Sequence, residues 1–182
     1  MILNEKLQAI KLVITDVDGV LTDGLLHYNA NGEAIKSFHV RDGLGIRMLM
    51  ENGVQVAVLS GRDSPILRKR LADLGISLFL LGKLEKESAC FELMQQAGVT
   101  PEQTAYIGDD SVDLPAFAVC GLSFAVGDAM DYVQNCADYV LQHHGGKGAF
   151  REMSDMIMQA QGTSDAYATA RGFLKTVENM AQ

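Results

Sequence analysis

Short apolar runs of strand length recur along the chain, and segments of helix length separate them. Lys11–Thr15, Val54–Ser60, Ile76–Leu81, Ala105–Gly108 and Leu122–Val126 are such runs. Their interiors are apolar at consecutive rather than alternate positions, the pattern of strands covered on both faces in a parallel sheet. The intervening segments carry helix-end signals. Asp42 is placed to cap a helix that stops at Gly53, and Ser64-Pro65 opens the next, which closes at Gly75. Glu85–Ala97 ends at Gly98 and Val112–Val119 at Gly121. Proline at the first helical position and glycine just past the last are the residues those sites favour. The alternation predicts an α/β fold, a doubly wound parallel sheet of Rossmann-like type.

One segment breaks the alternation. Gly24–Val40 follows the first strand directly and places Asn31-Gly32 between strand-like arms, a strong hairpin signal. It is either a plain surface hairpin or a flap and oligomerisation element. Leu25, Leu26, Tyr28, Ile35, Phe38 and Val40 give it more apolar surface than a lone flap would expose, which favours assembly. Nothing along the chain reads as a repeat, a low-complexity tract or an interdomain linker. A single domain over 1–182 is expected, with a hairpin at 24–40 and a C-terminal tail at 162–182.

Composition narrows the class. A chain of 182 residues that is 48% hydrophobic fits one domain with a full core. No apolar run is long enough to cross a bilayer, and the first residues lack a basic segment and a cleavage site, so a cytoplasmic location is expected. Cys90, Cys120 and Cys136 show no CxxC spacing and lie in apolar stretches, which predicts buried free thiols. The net charge of −8 disfavours nucleic acid and anionic membranes as partners. An anionic metabolite would then need a local cation to bind.

Candidate chemistry lies at the strand ends, where open α/β sheets bind ligands. The first strand runs into Asp16-Val17-Asp18-Gly19-Val20, the second ends in Ser60-Gly61-Arg62, and the fourth in Gly108-Asp109-Asp110 with Asp113 beyond. Lys86 opens the helix after the third. Alone, each has an ordinary reading: an Asp in a turn or cap, a Ser-Gly turn, a solvated helix lysine. Together they crowd several carboxylates, a hydroxyl and an ammonium into one crevice. Crowded carboxylates call for a hard divalent cation, and Mg²⁺ is the usual one where phosphate is handled. Asp16 then suits attack on phosphorus, Asp18 proton transfer, and Ser60 with Lys86 the phosphoryl oxygens.

The set DVDGV, LSGR, a lysine and GDDSVD resembles the four motifs of the haloacid dehalogenase-like hydrolases. That resemblance implies Asp16 as nucleophile, Asp18 as general acid/base, and Ser60 and Lys86 on the phosphoryl group; Lys83 fits the lysine position less well. It also implies Mg²⁺ held by Asp16, the Asp18 backbone carbonyl and Asp109, supported by Asp110 or Asp113. The gaps between the motifs leave no room for a cap domain. Longer stretches, DVDGVLTDG, FHVRDGLGI, LSGRDSP, YIGDDSVDLP and HGGKGAFRE, are similar to the 3-deoxy-D-manno-octulosonate 8-phosphate phosphatase family, which acts on a sugar-acid phosphate in lipopolysaccharide synthesis as a capless homotetramer. Gly19, Val20, Gly61, Arg62 and Lys147 are then expected on the substrate. Relatives acting on nonulosonate 9-phosphates typically carry Glu where Arg62 stands. A guanidinium suits a carboxylate or hydroxyls, although Arg62 also reads as a helix-start residue paired with an acid. The runners-up are a nonulosonate or broad sugar phosphatase and a non-catalytic oligomerisation module. Gly145-Gly146-Lys147-Gly148 is either a flexible turn or a loop near the site.

Overall fold

The protein is described from a computed structural model, which covers residues 3–181. After α1 (Leu3–Ala9), β1 (Leu12–Thr15) is buried at all four positions, as a strand covered on both faces must be. The hairpin follows as β2 (His27–Asn29) and β3 (Gly32–Ile35), then α2 (Val40–Glu51), β4 (Gln55–Ser60), α3 (Pro65–Leu74) and β5 (Leu78–Leu81). Next come α4 (Lys86–Ala97), β6 (Thr104–Gly108), α5 (Leu114–Val119), β7 (Leu122–Ala125), α6 (Asp131–Gln134) and β8 (Tyr139–Val140). The chain closes with α7 (Ala149–Ala160), α8 (Asp165–Ala168) and α9 (Ala170–Met180).

The main sheet has six strands in the order β5-β4-β1-β6-β7-β8, all parallel. Successive strands step outward from β1 through β4 to β5, and the chain then returns to the other side of β1 with β6. The switch point therefore lies between β1 and β6. Helices α1, α2 and α7 pack together, and α4 packs with α5 and against β1, β4 and β5. The sheet is doubly wound, and among the described residues no cap domain covers its carboxyl edge.

Several end signals act as the sequence predicts. Ser64 accepts from the Leu67 amide at 3.2 Å, Pro65 is the first residue of α3, and Gly75 closes it in the left-handed region. Asp42 does not cap its own helix. His39 does, through Nδ1 to the Arg41 amide at 3.2 Å. The Asp42 carboxylate instead accepts from the amides of Gly148 (3.3 Å) and Arg151 (2.9 Å), at the start of α7. Gly148, the N-cap of α7, has no side chain for the task, so an acid from a distant helix supplies it.

The hairpin pairs antiparallel, apart from the main sheet. Leu25, Leu26, Tyr28, Ile35 and Val40 are exposed on it. Phe38 differs from the expectation: it is partly buried against the core, with the Arg70 guanidinium 5.5 Å above its ring. Cys136 also differs, being exposed, while Cys90 and Cys120 are buried. The segment expected as a tail carries α8 and α9. Thr176 is buried there, and Arg47 of α2 donates to the Met180 carbonyl at 3.4 Å.

Candidate active site

Asp16 extends β1 by one residue, its amide bonding to the Ile107 carbonyl at 3.1 Å. Its Oδ1 accepts from the Val17 amide at 2.7 Å, and its Oδ2 lies 3.0 Å from Lys86 Nζ. Lys86 is the first residue of α4, capped by Glu85, and is fully buried. Its ammonium also meets Asp113 Oδ1 at 2.7 Å and the Tyr106 hydroxyl at 3.0 Å. Three partners match the three protons of an ammonium, so this buried charge is satisfied. Burial pulls the Lys86 pKa down, but Asp16 and Asp113 outweigh it and hold the group above its ordinary value.

Asp113 organises the far side. Tyr106 donates to its Oδ1 at 2.7 Å, and its Oδ2 accepts the amides of Asp109 (2.8 Å) and Asp110 (3.2 Å). A short 3-10 turn at Ser111–Asp113 folds the chain back for this. Gly108 makes room, since a Cβ there would lie 2.4 Å from the Asp113 carboxyl carbon. With both oxygens engaged, Asp113 buttresses the site. Asp110 is exposed and bonds the Ser111 amide (2.6 Å) and Tyr132 (3.1 Å).

Asp109 is left with no donor to its carboxylate among the described residues. Burial first, then Asp16, Asp113 and Asp110, push its pKa up to about 8. Burial, then Asp113, raises Asp16 to about 7 despite Lys86. One carboxylate oxygen from each of Asp16, Asp109 and Asp113 falls within a group no wider than 4.8 Å. Hard oxygens, crowded anions and an acid without a donor fit a divalent cation of the Mg²⁺ kind. Gly19 keeps the space open, since a Cβ there would fall 2.0 Å from Asp109 Oδ2.

The remaining predicted residues fall into distinct positions. Ser60 is buried, and its Oγ accepts the Arg62 amide at 3.1 Å. Gly61 lies under Leu84, whose Cδ2 would be 2.9 Å from a Cβ there. Asp18 accepts from Lys36 of the hairpin through Oδ1, and Arg62 donates to the Tyr28 hydroxyl at 3.2 Å. Val20 is wholly buried and its amide is committed to the Val17 carbonyl, so it backs the loop and offers no donor. The 145–148 loop is no loose turn. The Gly146 amide bonds the Val20 carbonyl at 2.8 Å, and a Cβ on Gly145 would sit 1.8 Å from the Gly19 carbonyl oxygen. The Lys147 side chain is not brought to this cluster: it is exposed and lines a cavity of about 610 Å³ with Arg41, Leu44 and Arg151.

Sequence reasoning missed Tyr106, Lys36 and Glu33. Tyr106 left one trace, a hydroxyl inside an otherwise apolar strand; the hairpin residues left none.

A family model described as haloacid dehalogenase-like hydrolase matches residues 79–153. Over 180 residues, 99% of this chain and 100% of the relative, the sequence is 76% identical to 3-deoxy-D-manno-octulosonate 8-phosphate phosphatase of Haemophilus influenzae. The cobalt-bound structure of the deoxy-D-mannose-octulosonate 8-phosphate phosphatase from Haemophilus influenzae superposes with a TM-score of 0.92 at 79% identity, covering 93% of this chain and 99% of that one. The Moraxella catarrhalis phosphatase, solved with a magnesium ion, a phosphate ion and a KDO molecule, gives 0.87 at 36% identity over 96% and 97% of the two chains.

Proposed function

Since this chain belongs to the haloacid dehalogenase-like hydrolases, and within them to the 3-deoxy-D-manno-octulosonate 8-phosphate phosphatases, we propose that it hydrolyses the 8-phosphate ester of that sugar acid. Asp16 is the nucleophile. It attacks phosphorus to give a phosphoaspartate, and Asp18 gives a proton to the departing alcohol. Water then attacks the phosphoaspartate while Asp18 takes a proton from it. Ser60 and Lys86 act on the phosphoryl oxygens, Lys86 by exchanging its Asp16 contact for one of them. Asp16, the Asp18 carbonyl and Asp109 would hold Mg²⁺, with Asp113 and Asp110 behind them. Bound there, the cation supplies positive charge that offsets the repulsion between a carboxylate and a phosphate dianion.

The observation that carries this reading is the setting of Asp16: a buried carboxylate at the switch point, 3.0 Å from a fully buried lysine and grouped with Asp109. Arg62, 38% exposed beside Asp18, favours an acidic sugar over a neutral one. Lys147 is exposed on the loop whose backbone meets the Asp16 loop, and it is the remaining cation of the reading.

The reading extends to a single-domain cytoplasmic enzyme of lipopolysaccharide synthesis, working as a homotetramer assembled through the 24–40 hairpin. The exposed apolar residues of that hairpin support assembly; the number four comes from the family. A substrate panel with Mg²⁺ and with EDTA tests the whole. Preference for the octulosonate 8-phosphate, lost with chelation and in Asp16→Asn, is expected. Equal rates on N-acetylneuraminate 9-phosphate and glucose 6-phosphate would replace it with a broad sugar phosphatase.

A further inference from the structure

The hairpin sets a charge network against Asp18. Lys36, just past β3, donates to Asp18 Oδ1, and its ammonium lies 3.2 Å from Glu33 Oε1. Arg62 closes the circuit: its Nη2 lies 3.6 Å from Glu33 Oε1, and its Nε lies 3.8 Å from Asp18 Oδ2. Cations and anions thus alternate around a closed ring of Asp18, Lys36, Glu33 and Arg62. The ring has a covered half and an open half. The side chains of Lys36 and Glu33 are 3% and 8% exposed, against 23% for Asp18 and 38% for Arg62.

Lysine seldom gives up its water, and it does so only where a partner compensates. Here the covered lysine reaches across from the hairpin to the carboxylate read as the general acid and base. Glu33 Oε1 is itself buried, and no donor meets it in hydrogen-bond geometry; the adjacent cations hold it by charge alone.

We infer that Lys36 is a positioning residue for Asp18, fixing Oδ1 so that Oδ2 is the oxygen that exchanges protons during turnover. The inference rests on the phosphatase reading and specifies one of its parts. As the bond from Asp16 to phosphorus forms and the ester P–O bond breaks, the Oδ2 proton passes to the departing alkoxide. In the second step water loses a proton to Oδ2, its oxygen bonds phosphorus, and the Asp16–phosphorus bond breaks. Lys36 keeps its own protons throughout and sets only the rotation of the carboxyl. Glu33 holds the ammonium in place.

The test is the rate of enzyme phosphorylation, before steady state and with Mg²⁺, on esters ranging from p-nitrophenyl phosphate to the sugar-acid 8-phosphate. Lys36→Met should slow the sugar ester on the order of tenfold or more, because that alkoxide needs a proton. It should leave p-nitrophenyl phosphate within about a factor of two, because that leaving group needs none. Lys36→Arg should recover most of the loss. Equal losses on every ester, or wild-type rates throughout, would overturn the positioning role. Should Lys36→Met fail to fold, Glu33→Gln carries the same test: a steeper dependence on leaving group supports the inference, and an unchanged one overturns it. Wild-type rates come from the same series. A wild-type chain inactive on every ester removes the phosphatase reading and this inference with it, whereas an active wild type with indifferent variants removes the inference alone.

Discussion

Lys86 and Asp113 form an ion pair 2.7 Å long in which neither side chain is open to solvent. Such a pair is held by completeness, since removing one member leaves the other charged and buried. Asp113→Ala is therefore expected to cost about 3–5 kcal/mol of folding stability, read from urea unfolding. Activity should fall as well, because the amides of Asp109 and Asp110 lose their acceptor.

The metal-free chain should become less stable as the medium turns alkaline. Asp16 and Asp109 are raised to about 7 and about 8 from the ordinary 3.8, so the folded state binds their protons more tightly than the unfolded state. Their contribution is complete below the ordinary value and is lost as pH rises through the raised ones. Added Mg²⁺ takes the place of those protons, so thermal unfolding from pH 5 to 9 should show a decline with EDTA that saturating Mg²⁺ flattens.

Gly145→Ala is a test of space. The added methyl would meet the Gly19 carbonyl oxygen at 1.8 Å, so one of the two loops must move. A loss of about 1–3 kcal/mol is expected from the clash. A larger effect should appear in turnover, because Gly19 also borders Asp109. Melting curves and kcat, measured side by side, separate the two.

Assembly through the hairpin predicts that Ile35→Asp combined with Leu25→Asp lowers the mass seen by light scattering while the α/β core stays folded. Both residues are more than half exposed in the single chain. Phe38 is a poor choice for this test, since it packs against Arg70 and the core. An unchanged mass would exclude the hairpin as the contact.

The site was legible where strand ends coincide with motif positions. Asp16, Ser60 and Asp109 follow short apolar runs, and a parallel sheet brings such ends to one edge. The fold was legible for the same reason, with strand bounds displaced by one or two residues. Contacts that depend on distant segments were not legible. Asp42 reads as the cap of its own helix because only the folded chain shows α7 arriving without one. Phe38 reads as exposed because the arginine that covers it lies on α3. Lys36 and Glu33 read as ordinary polar residues of a hairpin, since nothing local reveals that the hairpin leans on Asp18. Lys147 was expected beside the substrate from the motif that holds it; the backbone of its loop meets the Asp16 loop, and its side chain is exposed.

The seating of Gly145 and Gly146 on the loop after Asp16 bears on how the enzyme is made. A ribosome delivers Asp16 early, and the glycines that back its loop emerge only after the last strand of the sheet. Until then the Val20 carbonyl lacks the amide that ties it down. A growing chain thus carries Asp16 well before the loop that backs it can be in place.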